Sequence, residues 1–154
     1  MATTDLVSPN AIIPAMKVNG KKQALQEIAA KAAELTGQNE KAILEILLQR
    51  EKLGSTAFGG GVAIPHARLA GLDRIVAGAI RLAQPVDFSA VDDVPVDLML
   101  VLFSPPNAGA DHLKALARVA RLLRDRGLIA KLRGAGSRDA IWALLTSDET
   151  RDAA

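Results

Sequence analysis

The sequence predicts an α/β fold: a single domain of 154 residues in which a mixed β-sheet is flanked by helices on both faces. Three observations point there. Val96 to Phe103 (VDLMLVLF) is almost continuously apolar, as expected of a central strand buried on both faces with helices on either side. Ile75 to Ala83 alternates, with Val76, Gly78, Ile80 and Leu82 on one side and Ile75, Ala77, Ala79 and Arg81 on the other. Helix-period stripes lie before and after these strands, so the order is helix, helix, strands, helix, helix.

The N-terminal residues are mixed, with a turn at Ser8-Pro9-Asn10 and an edge strand or extended arm expected near Ala15 to Val18. A helix should run from Asn19-Gly20 to Thr36, burying Leu25, Ile28, Ala29, Ala32 and Leu35 and stopping at Gly37. Asn39 is placed to cap a second helix that runs to about Leu53, with Ile43, Ile46 and Leu47 as its apolar stripe. Arg50 projects from that same face. Gly54 to Gly61 reads as a loop, and Val62 to Ile64 as a short strand that Pro65 stops. Leu69 to Asp73 is a turn, and Pro85 to Val94 is polar and turn-like. Asp111 to Arg126 is a strong helix with Leu113, Leu116, Ala117, Ala120 and Leu123 as its buried stripe, interrupted at Gly127. A short helical turn at Leu128 to Leu132 and a last helix from the cap Ser137 to Leu145 follow. Trp142 is expected to pack there, and the residues after Ser147 to form a short frayed tail.

Composition narrows the function classes. Aromatic residues make up only 3% of the chain, which disfavours a base-stacking surface for single-stranded nucleic acid. With 19 basic against 17 acidic side chains, the charge does not point to nucleic acid either. The absence of cysteine removes disulfides, thiolate metal sites and cysteine nucleophiles together, and fits a reducing cytoplasm. No signal peptide or membrane-length apolar run is visible, so no membrane insertion is expected.

The chemistry available is therefore short. His66 sits behind a triple glycine and a proline, in Gly59-Gly60-Gly61-Val62-Ala63-Ile64-Pro65-His66. Imidazole titrates near pH 6.5, about the unperturbed histidine value, so its neutral form is available as base, ligand or nucleophile. The glycines can bring backbone N–H groups to an anion, or simply make a flexible loop or bulge. Arg50, at the end of a core-facing stripe, is either paired or reaching for water, or it binds an anion. His112 lies in the first turn of a helix, as a surface residue or as a support for an anion at His66. Two histidines without HxxxH spacing make a weak metal site; GxSxG and GxxxxGK[ST] are absent. The remaining parts suit a phosphohistidine.

Arg50-Glu51-Lys52-Leu53-Gly54-Ser55-Thr56, Gly61-Val62-Ala63-Ile64-Pro65-His66 and Asp111-His112-Leu113 closely resemble the IIA domains of the mannitol/fructose class of the bacterial phosphoenolpyruvate-dependent phosphotransferase system. Pro85-Val86-Asp87-Phe88 and Val94-Pro95-Val96-Asp97 add to the likeness, which covers roughly residues 5–148 and looks closest to the nitrogen-regulatory branch. The resemblance implies a mannitol-IIA-like fold and no cofactor. It implies that His66 accepts a phosphoryl group on Nε2 from a histidine phosphocarrier protein. His112 would hydrogen-bond that group and Arg50 would contact it, with Thr56, Gly59, Gly60 and Gly61 lining the pocket. Some sugar-transporting relatives carry an acidic residue where this chain has Gly60. The downstream partners implied are regulated proteins such as potassium-transport or sensor-kinase components. The alternatives are a sugar-specific IIA subunit that passes phosphate to a separate IIB protein, and a binding module without transfer chemistry.

Overall fold

In chain order the computed structural model contains α1 (Thr3–Leu6), β1 (Val7–Met16), α2 (Lys21–Thr36), α3 (Glu40–Lys52), β2 (Ala57–Gly59), β3 (Val62–Ala63) and β4 (His66–Arg68). These are followed by β5 (Val76–Val86), β6 (Val96–Ser104), α4 (Ala110–Arg124), α5 (Arg126–Arg133) and α6 (Arg138–Ala153). The structure describes the backbone of residues 2–153 and the side chains of residues 2–147. The sheet order is β1-β5-β6-β3-β2, with β4 also paired to β6. It is mixed as expected: β1 is parallel to β5, β5 antiparallel to β6, and β3 and β4 parallel to β6.

The pleat of β6 divides the core. Met99, Val101 and Phe103 join Leu25, Ile28, Ile43 and Leu47 of α2 and α3 on one face. Leu98, Leu100 and Leu102 join Val119, Leu122, Ile129, Ile141 and Leu145 of α4 to α6 on the other. A strand so enclosed can hold a functional group at its end with little freedom.

Several expectations hold in detail. Asn39 caps α3 by accepting from the Ala42 amide at 2.9 Å, and Ser137 caps α6 by accepting from the Ala140 amide at 3.1 Å. Gly37 ends α2 at φ 74°, a left-handed conformation that glycine adopts without strain. Trp142 packs, half-buried, against the second core.

Others are corrected. The N-terminal strand is β1, earlier and longer than the segment expected near Ala15 to Val18, and a helical turn, α1, precedes it. Pro9 and Pro14 are tolerated because β1 is an edge strand. The expected loop from Gly54 to Gly61 contains β2, which pairs with β3 as a tight hairpin with Gly59 opposite Val62. Its turn residues Gly60 and Gly61 have φ of 68° and 79°, the positive values that such a two-residue turn requires. Pro65 interrupts the strand without ending it, because β4 resumes at His66. Leu35 is partly exposed, at 37%.

The buried face of α4 is rotated from the one expected: His112, Ala115, Val119, Leu122 and Leu123 point inward, while Leu113 is 64% exposed. Apolar residues cover a broad arc of this helix opposite Lys114, Arg118 and Arg121, wide enough that periodicity alone left two adjacent stripes available. The helix breaks at Asp125 rather than at Gly127, because the Asp125 carboxylate caps α5 through the Leu128 amide at 3.0 Å. The last helix, expected to end near Leu145 before a frayed tail, instead continues as α6 to Ala153.

Candidate active site

His66 opens β4, opposite Leu102 of β6, and is half-buried. Its Nδ1 lies 2.7 Å from the carbonyl oxygen of Ile64. A carbonyl only accepts, so Nδ1 carries the proton and donates it. The unprotonated nitrogen of the neutral ring is therefore Nε2, a lone pair facing outward from a fixed ring.

His112 comes from the first turn of α4, is 6% exposed, and packs its ring centroid 6.1 Å from that of His66 at an interplanar angle of 47°. Its Nδ1 lies 2.6 Å from Ser104 Oγ, at the end of β6. Burial, then the Arg68 guanidinium, then His66 hold its pKa below the ordinary histidine value. A depressed value means that the unfolded chain binds the proton more readily than the folded one does. Stability should thus fall as pH drops through about 6.5, the unperturbed histidine range. Denaturant titrations between neutral and mildly acidic pH should show this loss. It should be reduced in His112→Gln, which has nothing to protonate there.

Arg50 sits on the last turn of α3, where its Nη1 donates to the Gly54 carbonyl at 2.9 Å. Among the described residues β4 has β6 as its single strand neighbour, so α3 reaches the histidine around the open sheet edge. Arg50, His66, Arg68 and His112 line one cleft of about 520 Å³. Arg50 and His66 also border a larger groove of about 990 Å³, whose walls include Thr56, Gly59, Gly60, Arg124 and Arg126. Two sequence-predicted positions thus frame His66 directly, while Thr56 and two of the glycines lie along the groove beside it.

The hairpin turn is clamped from both sides. The Gly60 amide donates to Asp92 at 2.9 Å, and the Gly60 carbonyl accepts from Arg133 Nη2 at 2.6 Å. That first bond and a second from the Val94 amide hold the Asp92 carboxyl below its ordinary pKa. The Gly60 amide is therefore engaged by a carboxylate instead of being offered to the groove. Gly61 is just as confined: a Cβ there would meet Arg133 Nη2 at 2.7 Å. Thr56 is buried, its amide donates to Glu51 Oε1 at 3.2 Å, and its hydroxyl meets no partner among the described residues. Glu51 is in turn paired with Lys21 at 2.9 Å.

Sequence reasoning missed two neighbours, Arg68 and Ser104. Arg68 follows His66 by two residues and so shares its strand face, a signal hidden once Pro65 was read as the end of the strand. Ser104 is the first hydroxyl after the apolar run, and its complete burial is a property of the folded sheet.

The family described as phosphoenolpyruvate-dependent sugar phosphotransferase system, EIIA 2, matches residues 5–148. The chain belongs to this family. Within it, the chain is 61% identical to a nitrogen regulatory protein of Bradyrhizobium diazoefficiens over 145 residues, covering 94% of this chain and 95% of that one. It is 38% identical to a nitrogen regulatory protein of Pseudomonas aeruginosa, covering 91% and 92% of the two chains. The nitrogen regulatory protein IIA-Ntr of Neisseria meningitidis superposes with a TM-score of 0.86 at 34% identity, covering 92% of this chain and 97% of that one. The mannitol IIA of Escherichia coli shares the fold, with a TM-score of 0.73 at 21% identity over 90% of this chain and 97% of that one. The mixed sheet flanked by helices is therefore the fold that this chain shares with the mannitol IIA. Among its described residues no helix is long and apolar enough to cross a membrane.

Proposed function

We propose that this chain is a nitrogen-regulatory IIA phosphocarrier of the cytoplasm. It takes a phosphoryl group onto His66 from a histidine phosphocarrier protein and controls partner proteins by its phosphorylation state. The observation that carries the proposal is the Nδ1–Ile64 bond, which leaves His66 Nε2 as the free lone pair in a cleft shared with Arg50 and His112. The high identity to nitrogen regulatory proteins favours the regulatory role over sugar-specific transfer.

In the transfer, the Nε2 lone pair forms the new P–N bond as the donor's P–N bond breaks and its electron pair returns to the donor imidazole. The proton on His66 Nδ1 stays in place, and the Ile64 carbonyl faces the positive charge that develops on the ring. Arg50 and His112 stabilise the equatorial oxygens, where a fixed cation and a fixed donor act most strongly. The Thr56 hydroxyl, without a partner among the described residues, and the hairpin residues Gly59 and Gly60 shape the wall beside them. The product carries close to two additional negative charges, by analogy with phosphate esters at about −1.5 to −2, enough to change which protein surfaces bind.

The test is incubation with phosphoenolpyruvate and the upstream phosphotransferase proteins, followed by intact-mass measurement. The wild-type chain should gain the mass of one phosphoryl group, and failure to gain it would sink the proposal. Arg50→Ala should still be phosphorylated, but about 10²-fold more slowly, the usual loss when one preorganised charge-stabilising group is removed. Single-turnover transfer kinetics would measure that difference.

A further inference from the structure

We propose that Ser104, with Arg68 beside it, is a positioning residue that fixes His112 as an Nε2–H donor facing His66. The inference rests on His66 being the phosphoryl acceptor. Arg68 of β4 and Ser104 of β6 are direct register partners, two residues beyond the pair His66 and Leu102. Ser104 is completely buried, and its Oγ lies 2.6 Å from His112 Nδ1. That nitrogen is the hydroxyl's one hydrogen-bonding partner among the described residues.

The direction of this bond follows from the hydroxyl's needs. If Nδ1 donated to Oγ, the hydroxyl hydrogen would be left buried without an acceptor, an arrangement that costs free energy. If the hydroxyl donates to Nδ1, both the Ser104 hydroxyl hydrogen and the His112 Nδ1 lone pair are satisfied, and the proton of the neutral ring must sit on Nε2. Burial first, and then Arg68, favour that neutral state of the ring. Arg68 Nη1 is held by the Pro106 carbonyl at 3.3 Å, and its charge opposes a second proton on His112, in the same direction as burial. The titratable and charged groups around His112 are Arg68 and His66 from β4, Arg50 from α3 across the shared cleft, and Asp111 on its own helix.

The two imidazoles are therefore set in opposite tautomers. His66 bears its proton on Nδ1 and presents a bare Nε2 to phosphorus. His112 accepts at Nδ1 and presents Nε2–H to a phosphoryl oxygen. One backbone carbonyl and one serine hydroxyl make this distinction between chemically identical rings.

Imidazole ¹⁵N spectra of the unphosphorylated full-length protein test this directly. Wild-type His112 should show protonated Nε2 and unprotonated Nδ1, and Ser104→Ala should shift it to a tautomer mixture. Arg68→Gln should raise the pH midpoint of His112, and Arg68→Lys should restore it. In single-turnover transfer, Ser104→Ala should be roughly tenfold to a hundredfold slower, in line with the cost of a misplaced reacting group. A His112 proton on Nδ1 in the wild type, an unchanged tautomer in Ser104→Ala, or an unmoved midpoint in Arg68→Gln would overturn the inference. The spectra involve no phosphoryl donor. Absence of phosphorylation in the wild type would instead refute the carrier function while leaving the tautomer result readable.

Discussion

His66→Ala is expected to gain no phosphoryl group under conditions in which the wild-type chain is fully converted. The reason is geometric: in the cleft the bare imidazole nitrogen of a carbonyl-anchored ring is His66 Nε2, and alanine offers no substitute nucleophile. The fold should survive. The ring is half-buried and its anchoring hydrogen bond is worth about 1 kcal/mol, a loss of roughly 2–4 °C in melting temperature for a chain of this size. Intact mass and thermal melting on the same sample separate the two effects. A phosphorylated His66→Ala would move the acceptor to another side chain, with His112 the first to examine.

The largest stability effect is expected for Phe88→Ala. Phe88 is fully buried, and its backbone carbonyl accepts from Ser55 Oγ at 2.5 Å and from Lys21 Nζ at 3.4 Å. The Lys21 ammonium also lies 4.9 Å from the centre of the ring. Truncating a buried phenylalanine costs about 3–5 kcal/mol, a large part of the roughly 5–15 kcal/mol that holds a domain together. Urea titration should show a lower midpoint with an unchanged slope, the sign of lost stability without a change in the unfolding reaction. The segment from Gly54 to Thr56, which leans on Phe88 and carries the carbonyl that holds Arg50, should loosen as well. Phosphoryl transfer should then slow even at temperatures where the chain stays folded.

The parts of the fold that were legible in the sequence have strong local signals. The apolar run of β6 announced a strand covered on both faces, and Gly37, Asn39 and Ser137 marked helix ends with their own chemistry. What stayed hidden depends on partners distant in sequence. A proline-containing N-terminal segment becomes a strand because β5 offers it an edge. The inward face of α4 was ambiguous because its apolar arc is wider than one stripe, and the tertiary packing that places His112 against Ser104 settles the choice. In the site, His66, His112 and Arg50 were visible as unusual residues in unusual places, whereas the bond between the Gly60 amide and Asp92 was not. That pairing joins two loops whose separation in the chain hides it from any local reading.

The register of the two short strands around Pro65 has an effect on tolerated length change. Val62 pairs with Leu98 and Ala63 with Met99, and beyond the proline His66 pairs with Leu102 and Ala67 with Phe103, so the same offset runs through the interruption. Side chains consequently keep one parity: Val62 and Ile64 face the α4–α6 side, while Ala63 and Ala67 face the α2–α3 side. The segment behaves like a reading frame. Point substitutions at Val62 or Ile64 alter packing, but a one-residue deletion between Ala63 and His66 would turn the imidazole through the sheet, away from His112. Insertions or deletions of a single residue here should therefore silence phosphoryl acceptance more completely than most substitutions do, even though none of the deleted atoms belongs to the histidine.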